Sequence, residues 1–173
     1  MRKIFKKEKG FTLIEIIAIL VVIGIVAAIA ITRYRNFNAY VISGTDTLKT
    51  HLRYAQTSAM NFNPAGGFAN APIPWGISGN STSYWLFQGT NSAATANIMV
   101  LPDEAQYVNP NKTINLAAKQ IQLSSFTVYF DNSGIPYSNS VSLTSNLTIT
   151  VSPIGTGGTT NTVTIMPLTG YIP

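Results

Sequence analysis

The sequence predicts an α+β fold, in which a long N-terminal helix, transmembrane in its first half, packs on a C-terminal antiparallel β domain. Residues 11–31 form an almost wholly apolar segment whose only ionisable side chain is Glu15. Beyond residue 74, apolar and polar side chains alternate in short runs, which is the period of a half-buried strand. No second long helical pattern follows, so we do not expect parallel strands joined by helical crossovers.

The apolar segment is long enough to cross a membrane. Its 21 residues cover about 31 Å as a helix at about 1.5 Å per residue, which matches the hydrocarbon core of a bilayer. Gly24 lies inside this helix, and two roles stay open for it. It can be a notch for close packing between transmembrane helices, or a point at which the helix unwinds locally.

The helix is predicted to continue to about residue 60, with residues 32–61 as its amphipathic half. Apolar residues recur there at spacings of seven, four, three and four, namely Val41, Leu48, Leu52, Ala55 and Ala59. Such a stripe is typical of a helix that packs one face against a globular domain.

Residues 62–173 are predicted to form the β domain, and a segment of this size can bury a core of its own. Asn-Pro, Gly-Gly and Pro-Ile-Pro sequences predict a loop at residues 61–74. The strand candidates are residues 83–87, 97–101, 126–130, 147–151 and 162–166. The last two flank a glycine-rich segment and are predicted to pair as a hairpin. Asp131 to Gly134 is predicted to be a turn.

The net charge of +5 is concentrated at the N-terminus. Five cations and one acid in residues 1–10 give +4, so the chain from residue 11 onward carries only +1. Beyond residue 60 the only cations are Lys112 and Lys119, which argues against a nucleic-acid partner, although Arg33, Arg35, Lys49 and Arg53 remain on the helix. Basic flanks stay cytoplasmic, so the β domain is expected on the outer side of the membrane. The chain has no cysteine, so no disulfide supports the fold.

Glu15 needs an explanation, because a carboxylate at the centre of a bilayer costs about 2.5–3.5 kcal/mol. A secretory signal peptide would have a shorter apolar region of about 7–15 residues, although residues 28–30 could imitate its cleavage site. A plain signal anchor fits the length but gives no reason for Gly10 or for Glu15.

A third interpretation accounts for both residues. The sequence around them resembles the cleavage and methylation signature of type IV pilins and type II secretion pseudopilins: Lys9-Gly10-Phe11-Thr12-Leu13-Ile14-Glu15. The resemblance implies that residues 1–10 are a leader, cleaved after Gly10 by prepilin peptidase. It also implies N-methylation of the new Phe11 amine, and pairing of Glu15 with the Phe11 amine of a neighbouring subunit in a filament.

Three further segments resemble the H-type minor pseudopilins and their type IV pilus relatives. They are residues 52–59 in the second helix half, the first hairpin at residues 75–77 and 84–87, and the chain end at residues 162–165 and 169–171. Many members of the superfamily have a helix-kinking proline where this chain has Thr32, so the sequence leaves a kink there open.

The resemblance implies a structural subunit of a type II secretion pseudopilus, or alternatively a minor pilin for adhesion, motility or DNA uptake. The implied partners are prepilin peptidase, other pseudopilins or pilins, and an inner-membrane assembly platform. The chain would be a single-pass inner-membrane protein with a cytoplasmic N-terminus, and later part of a periplasmic or surface filament.

Catalytic and metal-binding signals are weak. His51, the only histidine, is predicted to be partly exposed on the helix surface and not a catalytic base. Major pseudopilins bind calcium in a β-domain loop, and Asp103 and Glu104, with Asn109 and Asn111 nearby, supply too few oxygen ligands for a recognisable site. We therefore expect no enzyme activity, no cofactor and no metal.

Overall fold

The computed structural model of the protein describes residues 10–61, 74–89, 91–103, 105–155 and 158–173, without the side chains of residues 31–37 and 105. The predicted α+β class is confirmed. In these described residues, one long helix, α1 (Leu13–Asn61), precedes ten strands that pair in antiparallel sheets. The chain divides into two compact units, one ending at Asn36 and the other formed by Phe37–Pro173.

The helix begins two residues later than the start of the predicted segment. Thr12 lies before the first turn, and its carbonyl accepts hydrogen bonds from the backbone N–H groups of Glu15 (3.1 Å) and Ile16 (3.2 Å). Its hydroxyl also accepts from the Glu15 N–H at 3.4 Å. Threonine is a favoured residue at this capping position, because its side chain satisfies a backbone donor that the helix leaves unpaired.

The strands form two sheets. The larger sheet has the order β3-β2-β1-β6-β7-β8, with β4 also paired to β2, and the smaller sheet has the order β10-β9-β5. The strand bounds are β1 (Trp75–Gly79), β2 (Ser83–Gln88), β3 (Ile98–Met99), β4 (Ile114–Asn115), β5 (Ile121–Leu123), β6 (Phe126–Phe130), β7 (Pro136–Ser138), β8 (Val141–Ser142), β9 (Leu147–Pro153) and β10 (Asn161–Ile165).

Most of the strand predictions are confirmed. The strand at Phe126–Phe130 has the predicted bounds, and β9 and β10 pair as the predicted hairpin, with Val163 opposite Ile149. The predicted strand at residues 97–101 is wrong in length, because only Ile98–Met99 pairs with β2. Four short strands, β4, β5, β7 and β8, were not predicted. Residues 62–73 of the predicted loop lie outside the described residues.

The core of the second unit lies between α1 and the sheets. The predicted stripe on α1 is confirmed, since all five of its residues are buried: Val41, Leu48, Leu52, Ala55 and Ala59. One row across the larger sheet places Ile77 opposite both Leu86 and Val128, and all three side chains are fully buried. They belong to the same hydrophobic cluster as the helix stripe, and burial of apolar surface is the main favourable contribution to folding.

The turn predicted after β6 is also confirmed. Gly134 donates its N–H to the carbonyl of Asp131 at 3.0 Å and has a φ of +77°, a value that favours glycine. The Asp131 carboxylate accepts the N–H groups of Ser133 and Ile135, both at 2.9 Å. The carboxylate therefore stabilises its own turn, as expected for aspartate in this position.

Candidate functional site

The predicted cleavage point lies in exposed backbone ahead of the helix. Gly10 and Phe11 are both exposed and non-helical, and the Phe11 side chain is 74% accessible to solvent. A side chain added at Gly10 would find no heavy atom within 4 Å in the described part of the chain. Nothing that the structure describes around this peptide bond would hinder a peptidase from reaching it.

The Thr12 cap fixes where the helix starts relative to that bond. Thr12 and Glu15 have the spacing of a capping box, in which the threonine side chain accepts the N–H of the residue three positions later. Glu15 therefore lies in the first turn, where the positive end of the helix dipole favours a carboxylate. The sequence-based interpretation of Glu15 did not include this local contribution.

Glu15 also heads an apolar stripe along the helix. It lines one shallow groove together with residues three, four, seven and eight positions later, namely Ala18, Ile19, Val22 and Ile23. These spacings place all five side chains on one face of a helix. The carboxylate is therefore the single ionisable group on an otherwise apolar face.

The helix segment Leu13–Ala30 has the length and composition of a membrane span. It contains 18 residues, and none of it is buried against other described parts of the protein. The large apolar side chains in this segment are between 46% and 78% accessible. An apolar surface of this size is stable only in lipid or against other apolar helices.

Residues 5–31 match the family of the prokaryotic N-terminal methylation motif. This match indicates a type IV pilin-like protein. Such a protein is a substrate of prepilin peptidase, and its apolar helix is compatible with membrane anchoring. No solved structure matches the chain. The match ends at residue 31, so it includes Gly10, Phe11 and Glu15 but not the β domain. The individual roles of these three residues remain predictions.

The structure also corrects the sequence prediction for His51 of the pilin-like chain. His51 was predicted to be partly exposed, but it is only 2% accessible. It follows the buried residue Leu48 by three positions and therefore points into the core. Its Nδ1 lies 2.9 Å from the Tyr84 hydroxyl and its Nε2 lies 3.2 Å from the Pro102 carbonyl.

The two contacts define the state of the imidazole. Because a carbonyl oxygen can only accept, Nε2 carries the proton and donates to Pro102, while Nδ1 accepts from the hydroxyl of Tyr84. The neutral ring therefore has both nitrogens paired. Burial lowers the pKa of His51 below its ordinary value of 6.5, more than the Pro102 carbonyl and the Asp103 carboxylate raise it.

Three of the four side chains that could contribute to a calcium site, those of Asp103, Asn109 and Asn111, bond to other protein groups. Asp103 forms an ion pair of 2.9 Å with Lys119, and the Lys119 ammonium also lies 3.9 Å from the centre of the Tyr107 ring. Asn109 and Asn111 both hydrogen-bond the Thr113 hydroxyl. Glu104 lies outside the described residues. Within the described ranges, no group of three potential metal ligands among His, Cys, Asp and Glu comes together.

The cations of the second unit are largely engaged in intramolecular contacts. Lys112 donates to the Ile98 carbonyl at 3.1 Å, and Arg53 donates to the Ile172 carbonyl at 2.8 Å. With the ion pair of Lys119, three cations of this unit therefore bond to acceptors within the protein. Sequence reasoning did not identify these pairs, because their partners lie between 14 and 119 residues away along the chain.

Proposed function

We propose that this protein is a structural subunit of a type IV pilus-like filament, specifically a minor pseudopilin of a type II secretion apparatus. The observation that carries the proposal is Glu15, the only ionisable group in a fully exposed apolar span, within residues that match the methylation motif. A carboxylate in this position needs a partner that the chain's own span does not contain. The Phe11 amine of a second subunit, exposed by cleavage after Gly10, supplies the opposite charge.

The proposed ion pair acts through geometry more than through stability. Burying two opposite charges costs several kcal/mol per ion, which their attraction offsets only when they lie close together. An incoming subunit that is displaced along the helix axis therefore leaves both charges unpaired. The pair of Glu15 and Phe11 sets the stagger of neighbouring helices, while the apolar surface of Leu13–Ala30 supplies most of the association free energy.

The proposed route begins in the inner membrane. The basic leader holds the N-terminus in the cytoplasm and places the β domain in the periplasm. Prepilin peptidase removes residues 1–10 and methylates the new terminus. An assembly platform then extracts the subunit into a filament whose growth moves exported proteins outward. The subunit has no catalytic role in this scheme.

The competing function is that of a minor pilin in a true type IV pilus. DNA uptake, one of its roles, requires cations that are available for phosphates. Arg53, Lys112 and Lys119 instead contact acceptors of the protein itself, which favours secretion over DNA capture. A gel shift of the purified protein with DNA tests this ranking. We expect no binding, and tight binding that weakens with salt would reverse the ranking.

Two measurements test the proposal itself. The protein is produced in cells with and without prepilin peptidase, and its intact mass is determined. We expect loss of residues 1–10 and addition of one methyl group only when the peptidase is present. A chain that keeps its leader in both strains would contradict the whole scheme.

Deletion of the gene then separates the two candidate filaments. We expect the deletion strain to retain exported enzymes inside the cell and to move normally on a surface. Normal secretion combined with lost motility would assign the protein to a pilus instead. Complementation with the parent gene is the control for both readouts.

A further inference from the structure

His51 joins three parts of the second unit at one point. It belongs to α1, its Nδ1 contacts Tyr84 on β2, and its Nε2 contacts the backbone carbonyl of Pro102 in the loop after β3. The Tyr84 ring lies 5.8 Å from the imidazole centre, and both side chains are almost fully buried. The imidazole thus links the helix, the larger sheet and a loop.

Protonation of His51 at Nδ1 disturbs the contact with Tyr84 more than the contact with Pro102. Protonated Nδ1 becomes a donor, so the Tyr84 hydroxyl must accept from it and turn its own proton elsewhere in the core. The positive charge would also be buried, which is costly without a dedicated partner. Tyr84 lies deep in the core, so the strand side has little room to adjust.

The loop side, in contrast, borders solvent. An open groove runs between α1 and the loop, and its lining includes Asp46, Thr50 and His51 from the helix and Pro102 and Asp103 from the loop. Movement of the loop away from the helix would let water reach the imidazolium through this groove. Opening at Pro102 breaks the hydrogen bond from Nε2, but it lets water replace that bond and solvate the charge, which the buried Tyr84 side does not allow.

We propose that His51 is a proton-sensitive latch, which holds the loop at Pro102 and Asp103 against α1 when neutral and releases it when protonated. This inference rests on the hydrogen bonds of one unit and does not depend on the proposed filament role. Release would also strain the ion pair between Asp103 and Lys119, because one partner moves with the loop. Protonation of the single side chain of His51 would thereby determine whether this surface loop stays packed against α1.

The charged groups around His51 act in both directions, and burial of the ring has the largest influence on its pKa. Asp103 in the loop favours the protonated ring, while Lys119, its partner from the segment before β5, opposes it. Asp46 lines the same groove one and a half turns earlier on α1. Tyr84 on β2 is held neutral, since burial raises the pKa of its hydroxyl well above the usual value. Glu104 lies outside the described residues.

The test uses the full chain in detergent micelles. Because the chain has a single histidine, its ring proton gives one NMR titration curve without any assignment problem. Amide hydrogen exchange of the segment that contains residues 98–103 is measured at several pH values and corrected for intrinsic rates. The hairpin of β9 and β10, which does not contact His51 through any described hydrogen bond, serves as the internal reference.

We expect the opening constant of the loop to rise by up to about tenfold for each pH unit below 6.5, until His51 is fully protonated. The hairpin should not respond. In His51→Gln the amide can still donate to Pro102 but cannot titrate, so the pH response should disappear. Asp46→Asn, which removes a different titratable group from the groove, should keep it.

Three results would overturn the latch. They are an equal pH response in His51→Gln, a hairpin response as large as that of the loop, and no loop response at all. Should His51→Gln fail to fold, the parent protein still decides the matter. The midpoint of loop opening must then coincide with the NMR titration of His51, and separate midpoints would refute the proposal.

Discussion

The Arg53 guanidinium donates a hydrogen bond of 2.8 Å to the backbone carbonyl of Ile172, 119 residues further along the chain. Ile172 itself is buried in the core, and Gln56, one turn beyond Arg53, donates to the carbonyls of Gly134 and Thr169. Two neighbouring side chains of α1 therefore hold the C-terminal segment and the turn after β6 against the helix. These hydrogen bonds link α1 to parts of the β domain that are distant in sequence.

Removal of this contact should weaken the second unit. Arg53→Met keeps an unbranched apolar stem but leaves the Ile172 carbonyl without its charged donor. Since hydrogen bonds to charged groups contribute about 1.5–3 kcal/mol, we expect a loss of that order in the free energy of unfolding. Urea unfolding monitored by tryptophan fluorescence measures it. Lys49→Met, a cation lost one turn earlier on α1, is the matched control and should change stability by less than about 0.5 kcal/mol.

Gly44 should not tolerate a side chain. A Cβ at this position of α1 would overlap with Cδ1 of Ile121, which is buried on β5. Gly44→Ala gains about 1 kcal/mol of helix propensity but overpacks the contact, at a cost of about 1–3 kcal/mol. We therefore expect net destabilisation, measured as a lower midpoint of urea unfolding.

The partner residue provides the control for that experiment. Ile121→Val removes the methyl group that would collide with the new side chain. The double variant should therefore be more stable than the sum of the two single changes predicts. Strict additivity would show that the contact between Gly44 and Ile121 does not determine the effect.

Thr12 should determine where the transmembrane helix begins. Thr12→Ala removes the hydroxyl that accepts the Glu15 N–H, and loss of a cap costs about 1 kcal/mol. We expect amide exchange of the first helical turn to become about fivefold faster in micelles, since this factor corresponds to about 1 kcal/mol. Thr12→Ser retains the hydroxyl and should exchange like the parent. Equal rates in all three proteins would exclude a capping role.

Local sequence signals predicted the regular elements well. The apolar stripe from Val41 to Ala59 and the alternation in β9 and β10 each repeat often enough to define a period, and their packing agrees with it. The strands β4 and β8 contain only two residues each, so no period can be read from them. These two strands are defined by backbone hydrogen bonds to β2 and β7, so they depend on tertiary structure and not on a local sequence pattern.

In the candidate site, too, features that depend on adjacent residues could be predicted, whereas features that depend on distant residues could not. The methylation motif could be recognised because its pattern lies in adjacent residues, from Gly10 to Glu15. The burial of His51 was predicted wrongly, because its partners Tyr84 and Pro102 lie 33 and 51 residues away. A polar residue beside an apolar stripe looks exposed in sequence whenever the groups that satisfy it come from distant strands and loops.

Glu15 should be required for assembly and not for processing. Glu15→Gln keeps the size and hydrogen-bonding capacity of the side chain but removes its charge, so the Phe11 amine of a neighbouring subunit would be buried without an opposite charge. Truncating one partner of a buried ion pair costs about 3–5 kcal/mol, which lowers association by at least a hundredfold.

For Glu15→Gln we expect leader cleavage at the parent rate, shown by intact mass, together with loss of filaments scored by shearing and electron microscopy. Glu15→Asp, which keeps the charge on a shorter side chain, should assemble at an intermediate level. Filaments of normal length and number from Glu15→Gln would show that assembly does not need the carboxylate, and the register role would have to be abandoned.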